Sequence, residues 1–333
     1  MIKRNEKGFS HHFILPILVI LAVGAIGVYT LTRSKAATQT ELAPSSTITI
    51  ASWNTLITNS KKNISSGATA LSKSADILDV QELNYKPERQ AIRDKLMCKN
   101  CAYTGYMYKW SSVGATPASV SIFWNKTKFT KKEAGWLWSY GKNQKYWAVE
   151  KDKNAPDGKV ASRYITWVRL QDKATGREFY VLNTHTIAAI DKDGTGNANN
   201  PKRMALYKRH MEVLTAFIQT IKTKGDYPIF LTGDFNVDYR KDNPAYQGLK
   251  GMSVYADFPY AMLTTLDMHN GWQRFNLAGI ADDARTQGSS GNRIIDYVWS
   301  TDRSDVTPLS ASISSNSYGS DHYPVFYSFE LQR

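Results

Sequence analysis

Apolar and polar positions alternate with a period of two in eight short stretches of the chain. The stretches are residues 48–53, 75–81, 118–124, 163–170, 178–184, 227–233, 293–299 and 322–329. Alternation rich in Val, Ile, Tyr and Trp is typical of β-strands. Residues 201–221 instead place apolar side chains three or four positions apart, which predicts an amphipathic helix with Asn200 as its N-cap. A second helix is predicted from Pro87 toward Met97, so the pattern indicates an α/β domain of two packed sheets covered by helices.

A long uncharged stretch lies near the start of the chain. Residues 13–32 (FILPILVILAVGAIGVYTLT) contain no charged side chain, and about 20 mostly apolar residues are enough to cross a bilayer. Three basic residues precede the stretch and two follow it closely, which favours a cytoplasmic tail over residues 1–12. The sequence therefore predicts a single-pass transmembrane signal-anchor, a linker over 33–46 and an extracytoplasmic catalytic domain over 47–333. The alternative is a cleaved signal peptide, which would make the domain a secreted protein.

The chain is basic, with 42 Lys and Arg against 29 Asp and Glu. Residues 1–40 hold five of the basic and one of the acidic side chains, so the remainder keeps a net charge of +9. Such an excess attracts polyanions, namely nucleic acid, anionic lipid or wall polymer. Simple solubility is an equally good explanation of the charge, so this feature alone does not identify a partner.

The two cysteines, Cys98 and Cys101, form a C-x-x-C pair. A zinc site would need two further ligands from elsewhere, and a thioredoxin-like redox site would need a helix start in a βαβ unit. Neither is evident from the sequence. We therefore expect a structural disulfide between the two cysteines, which an extracytoplasmic location permits.

Polar residues follow several of the predicted strands at the point where each strand ends. They are Asn54, Glu82, His185, Asp234 with Asn236, and Asp296. The last strand is instead preceded by the run Ser320-Asp321-His322. Taken singly, each has an ordinary explanation, such as an Asx turn, a helix cap or a buried histidine. Catalytic groups also gather at strand ends, because a rigid sheet holds the loops that follow. Their joint occurrence in six places favours one shared site.

Six short blocks around these residues resemble the endonuclease/exonuclease/phosphatase superfamily, which is deoxyribonuclease I-like. The blocks are WNT (53–55), QE (81–82), NTH (183–185), GDFN (233–236), IDYV (295–298) and SDHYPV (320–325). The resemblance implies a four-layered α/β/β/α sandwich of two mixed β-sheets flanked by helices. It also implies a monomeric hydrolase, without a protein partner, that cleaves phosphate esters with Mg²⁺ or Mn²⁺. Ca²⁺ as a structural ion, in the loop at 191–200, is an open alternative.

The resemblance also assigns roles to the strand-end residues. Glu82 is the implied principal metal ligand, and Asn54 and Asp321 complete or orient the metal site; such oxygen ligands suit Mg²⁺. The implied catalytic residues are His185, Asp234, Asn236, Asp296 and His322. Among them, Asp234 and Asn236 position the attacking water and the phosphate, Asp296 pairs with His322, and His185 binds the phosphate. One departure from the superfamily pattern is that residues 103–125 contain no Asp or Glu to support His185.

The substrate is less well determined than the chemistry. Histidine in NTH points toward secreted nucleases, sphingomyelinases and phosphatases, and the positive charge favours an endonuclease that acts on DNA or RNA. Arg163, Arg203 and Arg293 are candidate substrate-binding residues. The alternatives are a sphingomyelinase-like lipid phosphodiesterase or a phosphatase, and an anchored polyanion-binding protein without activity. The aromatic stretch 134–150 leaves three explanations open: base stacking, a membrane interface, or a pair of core strands.

Overall fold

The computed structural model describes residues 44–108, 110–111, 116–139, 150–151, 159–160, 163–188, 190, 201–239, 259–274, 285–288 and 293–333. Pro44–Arg333 forms one compact unit. The predicted tail, the predicted anchor at 13–32, most of the linker and the loop at 191–200 lie outside the described residues. No helix among the described residues is long and apolar enough to span a membrane.

Two six-stranded sheets are formed by the described residues, with a two-stranded sheet beside them. The first sheet contains β1 (Ser45–Asn54), β2 (Ile77–Gln81), β3 (Tyr103–Tyr106), β4 (Ser121–Asn125), β13 (Val306–Ile313) and β14 (Val325–Gln332). The second contains β5 (Phe129–Trp138), β8 (Tyr164–Asp172), β9 (Glu178–His185), β10 (Ile229–Asp234), β11 (Met268–Asn270) and β12 (Asp296–Thr301). The small sheet pairs β6 (Glu150–Lys151) with β7 (Lys159–Val160).

Both large sheets are mixed. The strand order is β13-β14-β1-β2-β4-β3 in the first sheet and β11-β12-β10-β9-β8-β5 in the second. β1 and β2 are parallel, as are β9 and β10, and the other pairs are antiparallel. β1 is bordered on its other side by β14, so that Ser45 lies opposite Gln332. The first and last strands of the unit are therefore neighbours near the centre of one sheet.

Helices cover the outer faces of both sheets. They are α1 (Lys61–Ser74), α2 (Lys86–Leu96) and α3 (Pro201–Lys224). The shorter helices α4 (Pro259–Thr264) and α5 (Gly271–Arg274) contact the edge strand β11, and a 3-10 turn lies at Pro117–Ser119. Apolar residues of α1 and α2 form one buried cluster with the outer face of the first sheet. Apolar residues of α3 join the larger core that also fills the space between the sheets, where Phe230 and Phe329 stack at 4.0 Å. The four-layered sandwich predicted from the sequence is confirmed.

A disulfide joins Cys98 and Cys101 shortly after α2. The sulfur atoms are 2.02 Å apart and the Cα atoms 5.0 Å apart, and the amide of Cys101 also donates to the carbonyl of Cys98 at 3.1 Å. The bridge closes a single turn. It therefore fixes the connection between α2 and β3 and does not link distant parts of the fold.

Gly67 of α1 lies directly on the indole ring of Trp53. A Cβ atom added at Gly67 would come within 2.4 Å of Trp53 Cη2, and Trp53 is completely buried. Alanine normally stabilises a helix interior relative to glycine by about 1 kcal/mol. Here we expect Gly67→Ala to lower the free energy of unfolding by about 1–3 kcal/mol, because an overpacked core must shift its side chains. Urea denaturation checks this, with Ser66→Ala on the exposed face of α1 as the control; a Gly67→Ala variant as stable as wild type would contradict the packing.

Asp79 is a completely buried carboxyl group between the two sheets. Thr232 Oγ1 donates to its Oδ2 at 2.7 Å, while its Oδ1 has no hydrogen-bond partner among the described residues. Burial raises the pKa of Asp79 well above its usual value, although the bond from Thr232 opposes this. The folded protein therefore holds a proton that the unfolded chain releases above about pH 4. The contribution of Asp79 to the free energy of unfolding therefore falls as the pH rises from about 4 toward the pKa that Asp79 has in the folded protein.

Asp79→Asn is expected to weaken that pH dependence, because asparagine keeps the bond with Thr232 and cannot ionise. Melting temperatures measured at pH 5 and pH 8 should differ less for the variant than for wild type. An unchanged difference would show that Asp79 does not contribute to the pH dependence.

Candidate active site

Three polar side chains form a row across one end of the second sheet. Asp234, the last residue of β10, lies opposite His185 on β9 and opposite Asp296 on β12. Directly paired residues project from the same face of a sheet, so the three side chains meet. Asn54, at the end of β1 in the first sheet, donates from Nδ2 to Asp234 Oδ2 at 3.0 Å. Both sheets therefore contribute to one site at the same end of the sandwich.

His322 and Asp296 form a buried pair at this site. Nδ1 of His322 donates to Oδ2 of Asp296 at 2.8 Å, and Nε2 of His322 lies 3.7 Å from Asp234 Oδ2. Burial lowers the pKa of His322, but the Asp296 and Asp234 carboxylates outweigh that effect and raise it to about 10. The pairing expected from the sequence is present, and it keeps His322 protonated at neutral pH.

Asp234 is held from several sides. The amide of Asn236 donates to its Oδ1 at 2.9 Å, and Asn54 donates to its Oδ2. Burial raises the pKa of Asp234 to about 7; the His322 charge opposes the shift and Asp296 adds to it. A carboxylate with a pKa close to neutrality can accept a proton from a reacting group and release it again, which suits a general base.

His185 lies on the other side of Asp234. Its Nε2 is 3.4 Å from Asp234 Oδ2 and 3.9 Å from Glu82 Oε1. Burial lowers the pKa of His185 well below its usual value, with a further contribution from Arg163. A neutral imidazole is therefore expected. Segment 103–125 contains no Asp or Glu that could support His185. The carboxylates near His185 are instead those of Asp234 and Glu82.

Glu82 occupies a constrained backbone position directly after β2. Its φ is +64°, a value that non-glycine residues seldom adopt and that recurs at functional sites. Its Oε2 accepts from the amide of Ile57 at 2.7 Å and its Oε1 accepts from Asn54 Nδ2 at 3.3 Å. The Asn54 Oδ1 atom accepts from the amide of Leu56 at 3.0 Å, so the Asn54 amide group orients two carboxylates. We call Asn54, Glu82, His185, Asp234, Asp296 and His322 the carboxylate–histidine cluster.

The cluster has the chemistry of a divalent-cation site. One ligand atom each from Asp234, Asp296 and His322 lie within 4.8 Å of one another. Binding a metal with that trio would compete with the 2.8 Å bond between Asp296 and His322. Glu82 and Asp321 are more accessible, with side chains 22% and 26% exposed, and Asp321 Oδ1 lies 4.0 Å from His322 Nε2. Carboxylate oxygens around a partly open position fit a hard cation such as Mg²⁺ or Mn²⁺.

Two of the three arginines named from the sequence border the cluster. Arg163 donates from Nε to the carbonyl of Thr186, the residue after His185, at 3.0 Å. Arg293 donates from Nη2 to the carbonyl of Asn236 at 2.9 Å. The side chain of Arg203 lies outside the described residues.

The hydroxyl groups of Thr286 and Ser320 hold the cluster in position. The sequence motifs assign neither residue a role. Thr286 Oγ1 accepts from the amides of Ile295 and Asp296 at 2.9 and 3.1 Å. Ser320 Oγ donates to the carbonyl of Asn54 at 2.7 Å and accepts from the amide of His322 at 3.0 Å. Ser320 therefore ties the His322 loop to the end of β1, and Thr286 fixes the start of β12.

No protein-family model matches the sequence, and no curated protein matches it. Solved structures do match the fold. An endonuclease/exonuclease/phosphatase family protein from Bacteroides thetaiotaomicron aligns with a TM-score of 0.58 and 17% identity, over 87% of this chain and 97% of its own. A mannosyl-6-phosphatase from the same organism aligns with a TM-score of 0.56 and 17% identity, over 85% and 99%. D. rerio TDP2 in complex with a single-strand DNA product aligns with a TM-score of 0.54 and 15% identity, over 85% and 99%. The fold is thus that of the endonuclease/exonuclease/phosphatase proteins.

Proposed function

We propose that the chain is a metal-dependent phosphodiesterase and that its substrate is DNA or RNA. The observation that carries the proposal is the position of Asp234 Oδ2, which lies 3.4 Å from Nε2 of His185 and 3.7 Å from Nε2 of His322. Asp234 is thus a base of raised pKa between the neutral imidazole of His185 and the protonated imidazole of His322. This arrangement suits the addition of water to a phosphate ester.

Such a site also requires a divalent cation. Glu82 and Asp321 would hold it, with Asn54 orienting the Glu82 carboxylate. When bound, it would neutralise charge on the phosphate and on the leaving oxygen. This use of Glu82 leaves the bond between Asp296 and His322 intact.

The side chains of the cluster account for the remaining chemistry. Asp234 accepts a proton from the attacking water while the new P–O bond forms and the bond to the leaving oxygen breaks. His322, kept protonated by Asp296, donates a hydrogen bond to a non-bridging phosphate oxygen, where negative charge increases in the transition state. His185 contacts a second oxygen of the same phosphate. The leaving oxygen takes its proton from solvent, and Asp234 returns its proton to solvent.

Charge and neighbouring arginines support nucleic acid as the substrate. The chain outside residues 1–40 has a net charge of +9, and Arg163 and Arg293 border the site. Backbone phosphates are recognised by such side chains regardless of sequence. D. rerio TDP2, of similar fold, holds a single-strand DNA product. The intact cluster argues against a purely binding role.

Assays on four substrates test this function. The full chain, purified in mild detergent, is incubated with single-stranded and double-stranded oligonucleotides, sphingomyelin vesicles and mannose 6-phosphate, first with Mg²⁺ and then with excess EDTA. We expect oligonucleotide cleavage that EDTA abolishes. Turnover of sphingomyelin or the sugar phosphate in place of oligonucleotides would identify the lipid or phosphatase alternative, and no turnover of any substrate would favour the binding protein.

We propose that the chain acts outside the cytoplasm. Residues 13–32 are apolar enough to anchor it in a membrane, and the basic residues that precede them favour a cytoplasmic N-terminal tail. Protease added to intact cells should then digest the catalytic unit. Complete protection of the unit, with digestion only after lysis, would contradict the proposal.

A further inference from the structure

Five aromatic side chains form a continuous array beside the carboxylate–histidine cluster. Trp138 and Tyr164 lie 4.7 Å apart between ring centroids, and Trp136 lies 5.7 Å from Trp138 and 5.9 Å from Tyr164. Tyr108 stacks on Trp136 at 5.5 Å with 29° between the ring planes, and Tyr106 stacks on Tyr108 at 6.5 Å. We call these five residues the aromatic array.

The array lies at the open edge between the two sheets. β3, which ends at Tyr106, and β5, which carries both tryptophans, are edge strands of different sheets. Trp138 pairs with Tyr164 and Trp136 with Thr166 across β5 and β8. Thr166 bonds to the carbonyl of Val120, which directly precedes β4 of the first sheet, so this face of β8 looks toward the first sheet. The array therefore bridges the two sheets along one side.

The array also leads directly to the site. Ile165 on β8 pairs with Thr184 on β9, which places Tyr164 beside His185. Neighbouring strands are about 4.8 Å apart, so Trp138, two strands from His185, is roughly 10 Å away across the sheet. Arg163 directly precedes Tyr164, and its charge acts on His185. A cationic group therefore lies close to the phosphate position.

Tyr164 is buried, with 6% of its surface exposed, but the other four rings of the array are partly accessible. Tyr108 is 37% exposed, and Trp136 and Trp138 are half-buried. Leu137, between them in sequence, points to the opposite face and packs against the core. Trp167, on that opposite face, lies against Phe217 of α3. The strand therefore has one face that completes the core and one aromatic face that remains accessible.

We propose that the aromatic array is the binding site for an unpaired nucleobase next to the phosphate that is cleaved. This inference rests on the proposed function and names its substrate form as a single strand. Bases stack on aromatic side chains irrespective of sequence, and a cation beside the stack holds the backbone. A base within a duplex is already stacked and paired, so it would have to leave the helix to reach the array.

Binding and cleavage measured on one oligonucleotide test the array. Affinity is measured by fluorescence anisotropy in EDTA, where no turnover occurs, on a labelled single-stranded DNA and on the same strand with one abasic residue at each position in turn. Trp136→Leu and Tyr108→Leu are expected to weaken binding of the intact strand about tenfold, in line with stacking free energies of about 1–3 kcal/mol per base. Trp136→Phe keeps a flat ring and should recover most of the affinity. Trp167→Leu, which removes a tryptophan from the other face of the sheet, is the control.

The decisive result is non-additivity. If the array holds a base, an abasic residue at one position should weaken the binding of wild type about tenfold. The same residue should hardly change the binding of the Trp136→Leu variant. Equal losses in both proteins, or wild-type affinity in Trp136→Leu and Tyr108→Leu, would overturn the proposal. Failure of wild type to bind the strand would do so as well. Cleavage with Mg²⁺ is measured separately. If wild type cleaves the strand and the variants bind and cleave it equally well, the proposed function stands and the role of the aromatic array is wrong.

Discussion

Replacing His322 with glutamine is expected to lower kcat/KM for phosphodiester hydrolysis about 10³-fold. His322 is kept protonated by Asp296 at 2.8 Å, and it faces the position where charge develops on the phosphate. The loss of one such preorganised donor costs about 10²–10³ in rate in other hydrolases, and here the donor is also charged. Glutamine can still donate to Asp296, so the buried carboxylate keeps a partner and the fold should persist. Steady-state kinetics on an oligonucleotide and circular dichroism of the variant measure the two effects.

His269→Gln is the matched control for this variant. His269 lies on β11, partly exposed, 3.9 Å from Asp302, and it does not belong to the carboxylate–histidine cluster. Its replacement should leave kcat/KM within about twofold of wild type, as is usual for surface substitutions. A His322→Gln variant that is folded and equally active would remove His322 from the mechanism.

Replacing Glu82 with glutamine is expected to raise the Mg²⁺ concentration required for half-maximal activity by more than about tenfold. The substitution keeps the shape of the side chain, and its amide oxygen can still accept from Ile57, which bonds Glu82 at 2.7 Å. It removes the negative charge that would hold the cation, and even indirect partners of metal sites change affinity about 10–100-fold. The measurement is activity as a function of Mg²⁺ concentration.

A second readout for Glu82 does not depend on turnover. A bound cation stabilises the folded state by mass action, so Mg²⁺ should raise the melting temperature of wild type and have a smaller effect on Glu82→Gln. Glu212→Gln, on the exposed side of α3 where it pairs with Arg209, is the charge-matched control. Identical Mg²⁺ responses of wild type and Glu82→Gln would show that Glu82 is not the ligand.

The interior strands of both large sheets could be predicted from the sequence, and the edge strands could not. The eight predicted stretches correspond to β1, β2, β4, β8, β9, β10, β12 and β14, with ends shifted by a few residues. β5 was missed because residues 130–133 are exposed and include two lysines and a glutamate, so apolar alternation is absent from half of the strand. α1 was also missed. Its buried residues Ile64, Ala68 and Leu71 have helical spacing after the N-cap Ser60, but Ala68 and the buried Gly67 are too small to give a strong apolar pattern.

The side chains that perform chemistry were easier to predict than those that position them. Asn54, His185 and Asp234 are the last residues of strands, and Glu82 follows one. Asp296 instead begins the antiparallel strand β12, and His322 precedes β14. The sheet register places His185 and Asp296 beside Asp234. Thr286 and Ser320 act through bonds to backbone atoms of residues distant in sequence. Such bonds depend on tertiary structure. The sequence therefore provides no sign of Thr286 and names Ser320 only as a neighbour of His322, without a role.

The pairing of β1 with β14 means that the site depends on two strands from opposite ends of the described unit. Ser320 and His322 precede the final strand, and the bond from Ser320 to the carbonyl of Asn54 joins residues 266 positions apart. Without β14, one side of β1 has no partner strand and the loop with His322 is not anchored to the first sheet. We therefore expect a chain without residues 325–332 to be inactive, and expect the unpaired edge of β1 to promote aggregation.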